Sequence, residues 1–294
     1  MANIRESGIF NLGALGGDGA STTRPTRRWG GITGRSLVTA SGNVPTTGVL
    51  SLAEMLQASY GYELLPITNG LVLHLEAGET ASYPGSGSTW NDLSDSGYTF
   101  AAASGREPTF DSGTKSFNFS TGSKFFDSTT NSPFSGNSFD VTVIAVVSQT
   151  TTGAFRTVLG QSPNVAHSGM SFYSGSGKFA TDQWRPTGRT MSSAATVPTT
   201  VQQVAWTVPS WSTHGTSTKI YVDGNEQATG QYGTVSAPSL QAGKLRVGSW
   251  LEDRTNNDMD WRGNIYAIYV YDRVLSASEI QQVFDATKGR YGIS

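Results

Sequence analysis

From Leu71 to the end of the chain, apolar and polar residues alternate in short runs. Alternation of this kind is the pattern of β-strands that bury one face. Turn-forming residues separate the runs, which is typical of an antiparallel β-sandwich. We therefore predict strands at Leu71–Leu75, Ser116–Phe119, Val141–Val147, Val201–Val208, Lys219–Asp223, Leu245–Gly248 and Ile265–Tyr271.

Two of these runs carry more information than the others. Val141–Val147 is almost wholly apolar, so we place it as a central strand with both faces buried. Lys219–Asp223 leads directly into Gly224 and Asn225, a pair that favours a tight hairpin turn. The sequence therefore predicts one strand at the centre of a sheet and one β-hairpin after residue 223.

A helix signal follows the last predicted strand. Ser276 and Glu279 have the spacing of a capping box, in which each side chain accepts a hydrogen bond from the backbone amide of the other residue. Leu275 and Ile280 flank this cap at the positions of a hydrophobic staple. Gly289 is the residue at which we expect the helix to stop. The predicted fold class is thus a mainly β chain that closes with one short helix.

Residues 1–66 show no sustained alternation and differ in composition from the rest of the chain. Glycines are frequent there, and within residues 1–35 five arginines stand against two acidic residues. Such a segment cannot build its own core, so we expect an extended arm that becomes ordered against a partner or the main domain. One short helix, about 51–60, is predicted because Ser51 and Glu54 form a second capping box. The residues expected to make assembly contacts are Arg24, Arg27, Arg28, Trp29 and Arg35.

The composition of the whole chain limits the functions to consider. A net charge of -2 gives no general attraction to nucleic acid, and the absence of cysteine excludes disulfides and thiol chemistry. The first ten residues do not have the pattern of a secretory signal, and the most apolar stretch is far too short to span a bilayer. We therefore expect a soluble protein with no nucleic-acid or membrane partner, not exported by the usual route unless a leader was removed.

Several segments, in order along the chain, resemble a laminin-G/concanavalin A-like module. They are Gly70-Leu-Val-Leu-His-Leu75, Trp90-Asn-Asp-Leu-Ser94, Lys219-Ile-Tyr-Val-Asp-Gly224, Leu245-Arg-Val-Gly-Ser249 and Gly263-Asn-Ile-Tyr-Ala-Ile-Tyr-Val-Tyr-Asp-Arg-Val-Leu-Ser276. The last of these segments is the most specific. The resemblance implies an antiparallel β-sandwich of the jelly-roll type for residues 67–294.

A second resemblance concerns the arm and the C-terminal residues. Thr47-Gly-Val-Leu-Ser-Leu-Ala-Glu54 resembles an element of many phage tail and fibre proteins, and Lys288-Gly-Arg-Tyr-Gly-Ile293 is similar to modules of phage and bacterial surface proteins. This resemblance implies a structural virion protein, either a tail fibre, a neck appendage or a capsid decoration. The arm would then bind other virion proteins, and a homo-oligomer is expected, with a trimer favoured. The alternative is a carbohydrate-binding module that recognises host surface glycans, and a third reading is a glycan-cleaving enzyme.

Glycosidases of this fold usually carry the string Glu-x-Asp-x-x-Glu along one strand, and the chain lacks it. Alternation places such carboxylates on one face, where a retaining pair needs a separation of roughly 5 Å. The nearest candidates, Glu76 and Glu79, follow a strand into a glycine-containing turn, and we interpret them as solvated turn residues. A Ser-His-Asp triad, which only geometry defines, stays open. We expect no enzyme activity and name no catalytic residue.

Metal ligands are sparse in the sequence. Asp258 and Asp260 have the spacing to share a strand face and are weak candidates for Ca²⁺, but their neighbours do not follow the spacing of an EF-hand loop. A solvated acidic loop is the favoured interpretation. His74, His167 and His214 form no zinc-protease motif, and His74 is expected as a hydrogen-bonded strand residue. We therefore predict no cofactor.

Aromatic side chains beside polar groups are the remaining candidates for a sugar site. Those in or beside predicted loops are Trp184, Arg185, Trp211, His214 and Trp250. The alternative, which we favour, is that these tryptophans seal the edges of the sandwich or form subunit contacts. Tryptophan is intermediate in burial and is enriched at interfaces.

Overall fold

The computed structural model describes residues 9–11, 49–51, 65–120, 123–151, 155–161, 169–184, 188–192, 199–213, 217–232, 240–250 and 259–294. The chain divides into two compact units, Met1–Pro66 and Ile67–Ser294. In the first unit, strands β1 (Ile9–Asn11) and β2 (Val49–Ser51) pair antiparallel. The helix predicted at about 51–60 lies outside the described residues, apart from Ser51, and stays a prediction.

The second unit is built from short strands and closes with helix α1 (Ala277–Tyr291). A 3-10 helix, Trp211–Thr213, follows the strand that ends at Val208. In chain order the strands are β3 (Leu71–Glu76), β4 (Thr89–Asn91), β5 (Thr99–Ala101), β6 (Thr109–Asp111), β7 (Ser116–Asn118), β8 (Phe126–Asn131), β9 (Val141–Gln149), β10 (Arg156–Gln161), β11 (Gly169–Gly175), β12 (Lys178–Trp184), β13 (Gly188–Ser192), β14 (Gln202–Val208), β15 (Lys219–Val222), β16 (Asn225–Gln227), β17 (Thr229–Tyr232), β18 (Lys244–Val247) and β19 (Gly263–Tyr271).

These strands form two antiparallel sheets. Sheet I has nine strands in the spatial order β17-β13-β12-β11-β10-β18-β8-β5-β4. Sheet II has eight, in the order β16-β15-β14-β9-β19-β7-β6, with β3 also paired to β19. Apolar side chains from both sheets belong to one buried cluster between them. The predicted β-sandwich with a C-terminal helix is confirmed, and each predicted strand coincides with an observed one.

Strand β9 lies at the centre of sheet II, between β14 and β19. Val143 and Ala145 belong to the core between the sheets, whereas the alternate residues Ile144 and Val146 are fully buried on the opposite face. Successive side chains of a strand point to opposite faces, so a strand buried on both sides must be apolar throughout. This confirms the interpretation of the apolar run.

A hairpin between β15 and β16 is confirmed, but its loop is Asp223–Gly224, one residue earlier than the predicted pair Gly224–Asn225. Asp223 and Gly224 have φ angles of 49° and 77°, and a two-residue type I′ loop requires positive φ at both positions. A Cβ on Gly224 would lie 3.1 Å from the ring of Phe284 in α1, so the turn also leaves room for the helix.

Helix α1 begins with the predicted capping box. The Ser276 hydroxyl accepts a hydrogen bond from the Glu279 amide at 3.3 Å, and the Glu279 carboxylate accepts one from the Ser276 amide at 2.8 Å. The Arg273 guanidinium beside Glu279 lowers the pKa of that carboxyl to about 2. Leu275 and Ile280 are both buried, as a hydrophobic staple requires.

The predicted stop at Gly289 is wrong. The helix continues to Tyr291, and Gly292 caps it in the left-handed conformation with φ 66°. A glycine inside a helix costs only about 1 kcal/mol relative to alanine. Arg290 and Tyr291 offset that cost, because both reach the buried carboxylate of Glu76.

Helix α1 packs on the outward face of sheet II. Besides the contact at the hairpin, the Gln203 amide of β14 donates to the Thr287 hydroxyl of α1 at 2.9 Å, with both side chains buried. Among the described residues, no helix has the length and apolar character needed to cross a membrane. Helix α1 covers part of the outward face of sheet II.

Candidate functional site

The outward face of sheet I is polar at one end. Trp90, Phe100, Phe126 and Leu245 point into the core, so strand alternation turns their neighbours to the outward face. These neighbours are half-buried or exposed, apart from Arg246, which is buried. We call this surface the polar face, and it consists of Thr89, Asn91, Thr99, Ala101, Asp127, Lys244 and Arg246.

An ion pair lies at the centre of the polar face. The Arg246 Nε is 2.6 Å from Asp127 Oδ1, and its Nη2 is 2.8 Å from Oδ2, which is the two-bonded fork geometry. The guanidinium carbon lies 3.8 Å from the centroid of the Phe125 ring, a cation–π contact. The Arg246 side chain is 7% exposed and that of Asp127 is 25% exposed. The pair therefore presents its carboxylate to solvent from a fixed position.

The ion pair continues as a row of register partners across sheet I. Arg246 pairs with Gly160, Gly160 with Ser171, and Ser171 with Asp182. The Ser171 hydroxyl donates a hydrogen bond to the Asp182 carboxylate. All of these residues are buried, in contrast to Asp127. The solvent-accessible end of this row therefore lies at Asp127, within the polar face on β4, β5, β8 and β18.

The polar face was not predicted from the sequence. Its strands are short, and Asp127 and Arg246 are separated by 119 positions, so neither belongs to a recognisable motif. A weak signal was present for Arg246, which stands between the apolar residues Leu245 and Val247 of a predicted strand. Only the register of β8 against β18 brings the two together.

Two of the predicted sugar-stacking residues are core residues instead. Trp211 is 0% exposed and stacks on Phe139 with ring centroids 5.4 Å apart, because its amide donates to the Phe139 carbonyl and folds the 3-10 turn inward. Trp250 is 1% exposed and covers Gly160, where a Cβ would lie 2.8 Å from the indole. Neither tryptophan is an exposed platform for a sugar, because both side chains are buried.

The other predicted ligand and assembly residues are not tested by the structure. Trp184 is the last residue of β12, and its side chain is not described. Outside the described residues lie Arg185, His214, His167, Asp258 and the five arm residues Arg24, Arg27, Arg28, Trp29 and Arg35. Their roles stay predictions.

The interpretation of Glu76 as a solvated turn residue is wrong. Glu76 is the last residue of β3 and is completely buried between β19 and α1. Its carboxylate accepts hydrogen bonds from the Tyr269 and Tyr291 hydroxyls and lies 2.9 Å from the Arg290 guanidinium. The His74 imidazole nitrogen is 3.5 Å from the same carboxylate.

The neighbours of Glu76 determine its charge. Burial alone raises the pKa of Glu76, but His74, Arg290 and Tyr291 act in the opposite direction and hold the pKa below its ordinary value. Both carboxylate oxygens are engaged by these partners, which hold the charged group in a fully buried position. Glu79 differs, since it is half-buried and its pKa is raised by burial and by the Glu76 charge. The network is suited to hold α1 against β3 and β19.

His74 is a strand residue, as predicted. Its amide donates to the Asp92 carboxylate at 2.8 Å, and its carbonyl accepts a hydrogen bond from the Leu93 amide. The ring lies 5.0 Å from that of Tyr269. His74 thus links the Glu76 network to the loop that follows β4.

Asp260 does not lie in a solvated loop, which corrects that expectation. It is 4% exposed and forms a β-bridge with Thr157 of sheet I. Within the described residues there is no group of three or more histidine, cysteine, aspartate or glutamate side chains that could hold a metal ion. Asp258 lies outside the described residues, so the pairing of Asp258 with Asp260 at a calcium ion stays a prediction.

A comparison with known families decides the classification. The profile described as "Concanavalin A-like lectin/glucanases superfamily" matches residues 120–281, which is more than half of the chain. The chain belongs to this superfamily. This concanavalin A-like chain has no match among curated proteins.

Solved structures share the fold of this concanavalin A-like chain at low sequence identity. The botulinum neurotoxin serotype D binding domain has a TM-score of 0.52 and 12% identity over 75% of this chain, and the serotype G binding domain has 0.51 and 10% over 74%. A Trypanosoma rangeli sialidase has 0.48 and 16% over 79%. The chain spans 52% and 51% of the toxin domains and 35% of the sialidase.

Proposed function

We propose that this concanavalin A-like chain binds carbohydrate on the polar face without cleaving it. The Asp127–Arg246 pair carries the proposal, because it fixes a partly exposed carboxylate among hydroxyl and amide side chains. Sugar hydroxyls both donate and accept hydrogen bonds. A surface that offers acceptors and donors at strand spacings, about 4.8 Å apart from strand to strand, can pair with several hydroxyls of one chain of sugars.

Phe125 supports the proposal at the edge of the polar face. It directly precedes β8, it is half-buried, and the Arg246 guanidinium lies over its ring. An aromatic ring beside fixed polar groups is the usual composition of a small-ligand site. The superfamily and the solved toxin binding domains share this sandwich fold, which is compatible with a binding role.

The proposal excludes hydrolysis because of the number of accessible carboxylates. Glycoside hydrolysis requires two carboxyl groups, roughly 5 Å apart for retention and about 6.5–9.5 Å apart for inversion. Among the residues of the polar face, Asp127 carries the single carboxylate, and Arg246 engages both of its oxygens. We therefore expect that incubation with a bound polysaccharide releases no new reducing ends.

A glycan array of the full chain tests the binding proposal. We compare wild type with Asn91→Ala/Thr99→Ala, which removes an amide and a hydroxyl from the polar face. Thr109→Ala is the control, since Thr109 is an exposed strand residue of sheet II. We expect a glycan signal that the double variant loses and the control keeps, with equal melting temperatures. Binding that is the same in the double variant would contradict the assignment to the polar face.

We further propose that the chain is a virion component, with residues 1–66 as its anchor. The Gly-Val-Leu-Ser-Leu-x-Glu element and the glycine- and arginine-rich composition support this second role. The sandwich would then project as a knob, in a homo-oligomer for which a trimer is favoured. Deletion of residues 1–45 should abolish incorporation into particles and leave glycan binding intact. Incorporation of the shortened chain into particles would refute the anchor.

A further inference from the structure

Positive charges surround the polar face of a chain whose net charge is -2. Arg106 and Lys244 are exposed, and Lys124 is half-buried. In the described part of the chain, none of the three forms an ion pair with an acidic side chain. Most surface charges of a nearly neutral protein are mixed in sign, so three unpaired cations around one site need an explanation.

Two of these cations are held in position by main-chain contacts. The Arg106 guanidinium donates to the Ser123 carbonyl at 3.3 Å, and the Lys124 ammonium donates to the Gly105 carbonyl at 3.1 Å. The Phe125 amide donates to the Arg106 carbonyl at 3.1 Å and joins the two loops. Hydrogen bonds to carbonyls orient a cation but leave its charge uncompensated.

The aromatic ring at the edge of the polar face has two guanidinium groups near it. Arg246 lies 3.8 Å from the centroid of the Phe125 ring, and Arg106 lies 5.8 Å from it. Asp127 neutralises Arg246, whereas Arg106 has no such partner. This end of the polar face therefore combines an aromatic surface, one fixed carboxylate and a net positive charge.

Lys244 adds a cation on the other side of the ion pair. It is two positions before Arg246 on β18 and pairs with Asn131, so it lies about 7 Å along the strand from Arg246. The acidic residue Asp92, which follows β4, accepts hydrogen bonds from the amides of His74, Ser94 and Tyr98. Its carboxylate is held by amides of β3 and of its own loop and keeps its negative charge, so Asp127 and Asp92 stand against four cations at this face.

We infer that the ligand of the polar face is an acidic glycan, an inference that rests on the proposed carbohydrate binding. A sugar carboxylate or sulfate group lies against Arg106 and Lys124, and neighbouring hydroxyls donate to Asp127. Phe125 packs against the apolar face of the sugar ring. A nucleic acid fits less well, because the fixed Asp127 carboxylate would face a continuous line of phosphates.

The test uses glycan pairs whose members differ by esterification of a carboxylate. They are oligogalacturonate and its methyl ester, and sialyllactose and its methyl ester, with a DNA duplex as a further anionic probe. Titration calorimetry of the full chain gives the affinity for each. We expect the acidic member of the pair that binds to be about tenfold tighter than the neutral one, and tighter than DNA. We expect this difference to decrease with salt.

Charge-removing variants assign the effect to residues. Arg106→Gln/Lys124→Gln should reduce affinity for the acidic member by about tenfold and leave the neutral member unchanged. Lys219→Gln is the matched control, because Lys219 is an exposed lysine of sheet II paired with Glu226. It should change neither affinity.

The outcomes distinguish a failure of the acidic preference from a failure of carbohydrate binding itself. Equal affinity for both members of a pair overturns the acidic preference and leaves carbohydrate binding standing. Equal or tighter binding of DNA identifies the cations as a nucleic-acid surface and also overturns it. If no glycan of either kind binds, both the acidic preference and the carbohydrate function fail.

Discussion

Replacing Arg290 by methionine removes the countercharge of the most deeply buried carboxylate described in the molecule. The Glu76 side chain is 1% exposed and that of Arg290 is 19% exposed. Methionine keeps most of the apolar stem of arginine, so the packing of the last helical turn changes little. The substitution therefore isolates the loss of charge, and Glu76 is left in a site from which water is excluded.

The expected magnitude follows from the burial of the two partners. Removing one partner of a buried ion pair destabilises a protein by about 3–5 kcal/mol. Because Arg290 is partly accessible, we expect the lower end, about 3 kcal/mol. For a unit of this size, 1 kcal/mol corresponds to about 2–4 °C in melting temperature, so the shift is about 6–12 °C.

The dependence on pH has a definite sign. The folded-state pKa of Glu76 is lowered below 4.5, so in wild type its charge stabilises the fold above pH 4.5. That contribution is lost as the pH falls through the lowered folded-state pKa. In Arg290→Met the effect of burial on Glu76 is no longer offset by the Arg290 charge. The folded-state pKa of Glu76 therefore rises, and its carboxylate is protonated at a higher pH than in wild type. The difference between wild type and variant should therefore be largest at pH 7. It should shrink as the pH falls from the raised folded-state pKa of the variant to the lowered folded-state pKa of wild type.

Urea unfolding at pH 7 and pH 3.5 measures both effects. The control is Lys288→Met on the same helix, because the Lys288–Asp285 pair is exposed to solvent and should contribute little to stability. Glu76→Gln/Arg290→Met should be more stable than Arg290→Met alone, since no uncompensated charge stays buried. A loss below about 1 kcal/mol for Arg290→Met, or an equal loss at both pH values, would refute the reasoning.

Two further substitutions test the packing of the sandwich. Gly248→Ala should destabilise the protein by about 3 kcal/mol, because Gly248 has φ 87° and a Cβ would lie 2.2 Å from the Phe119 ring. An unchanged melting temperature would contradict this. Trp211→Ala should cost about 3–5 kcal/mol, since it empties a buried site beside Phe139. In thermal unfolding its melting temperature should fall, whereas the glycan affinity of the folded fraction should stay unchanged.

Local sequence signals determined the elements with good accuracy. The apolar run at β9, the hairpin at Asp223–Gly224 and the capping box at Ser276 each depend on residues that are neighbours in the chain. Strand alternation and capping are local effects, so a short window of sequence contains them. The stop of α1 was misplaced because the residues that extend it contact Glu76, which is 214 positions before Arg290.

The candidate site was largely beyond the reach of the sequence. Tryptophans near predicted loops suggested a sugar site. Trp211 and Trp250 are nevertheless buried, because the segments that carry them fold back on the sheets. Glu76 stands before a glycine-containing turn, which predicted exposure, and α1 buries it. In each case the exposed fraction of a side chain depends on segments that are distant in the chain.

Short stretches of sequence were enough to assign the class of fold, the position of the strands and the first turn of the closing helix. These features follow from periodicity, turn residues and caps, which act over a few residues. The meeting of Asp127, Arg246 and Phe125, the place of Arg106 beside that ring and the enclosure of Glu76 appear only in the folded chain. Strand register explains the first of these: a shift of one residue turns every side chain of a strand to the other face, and register is set by partners far away in the chain.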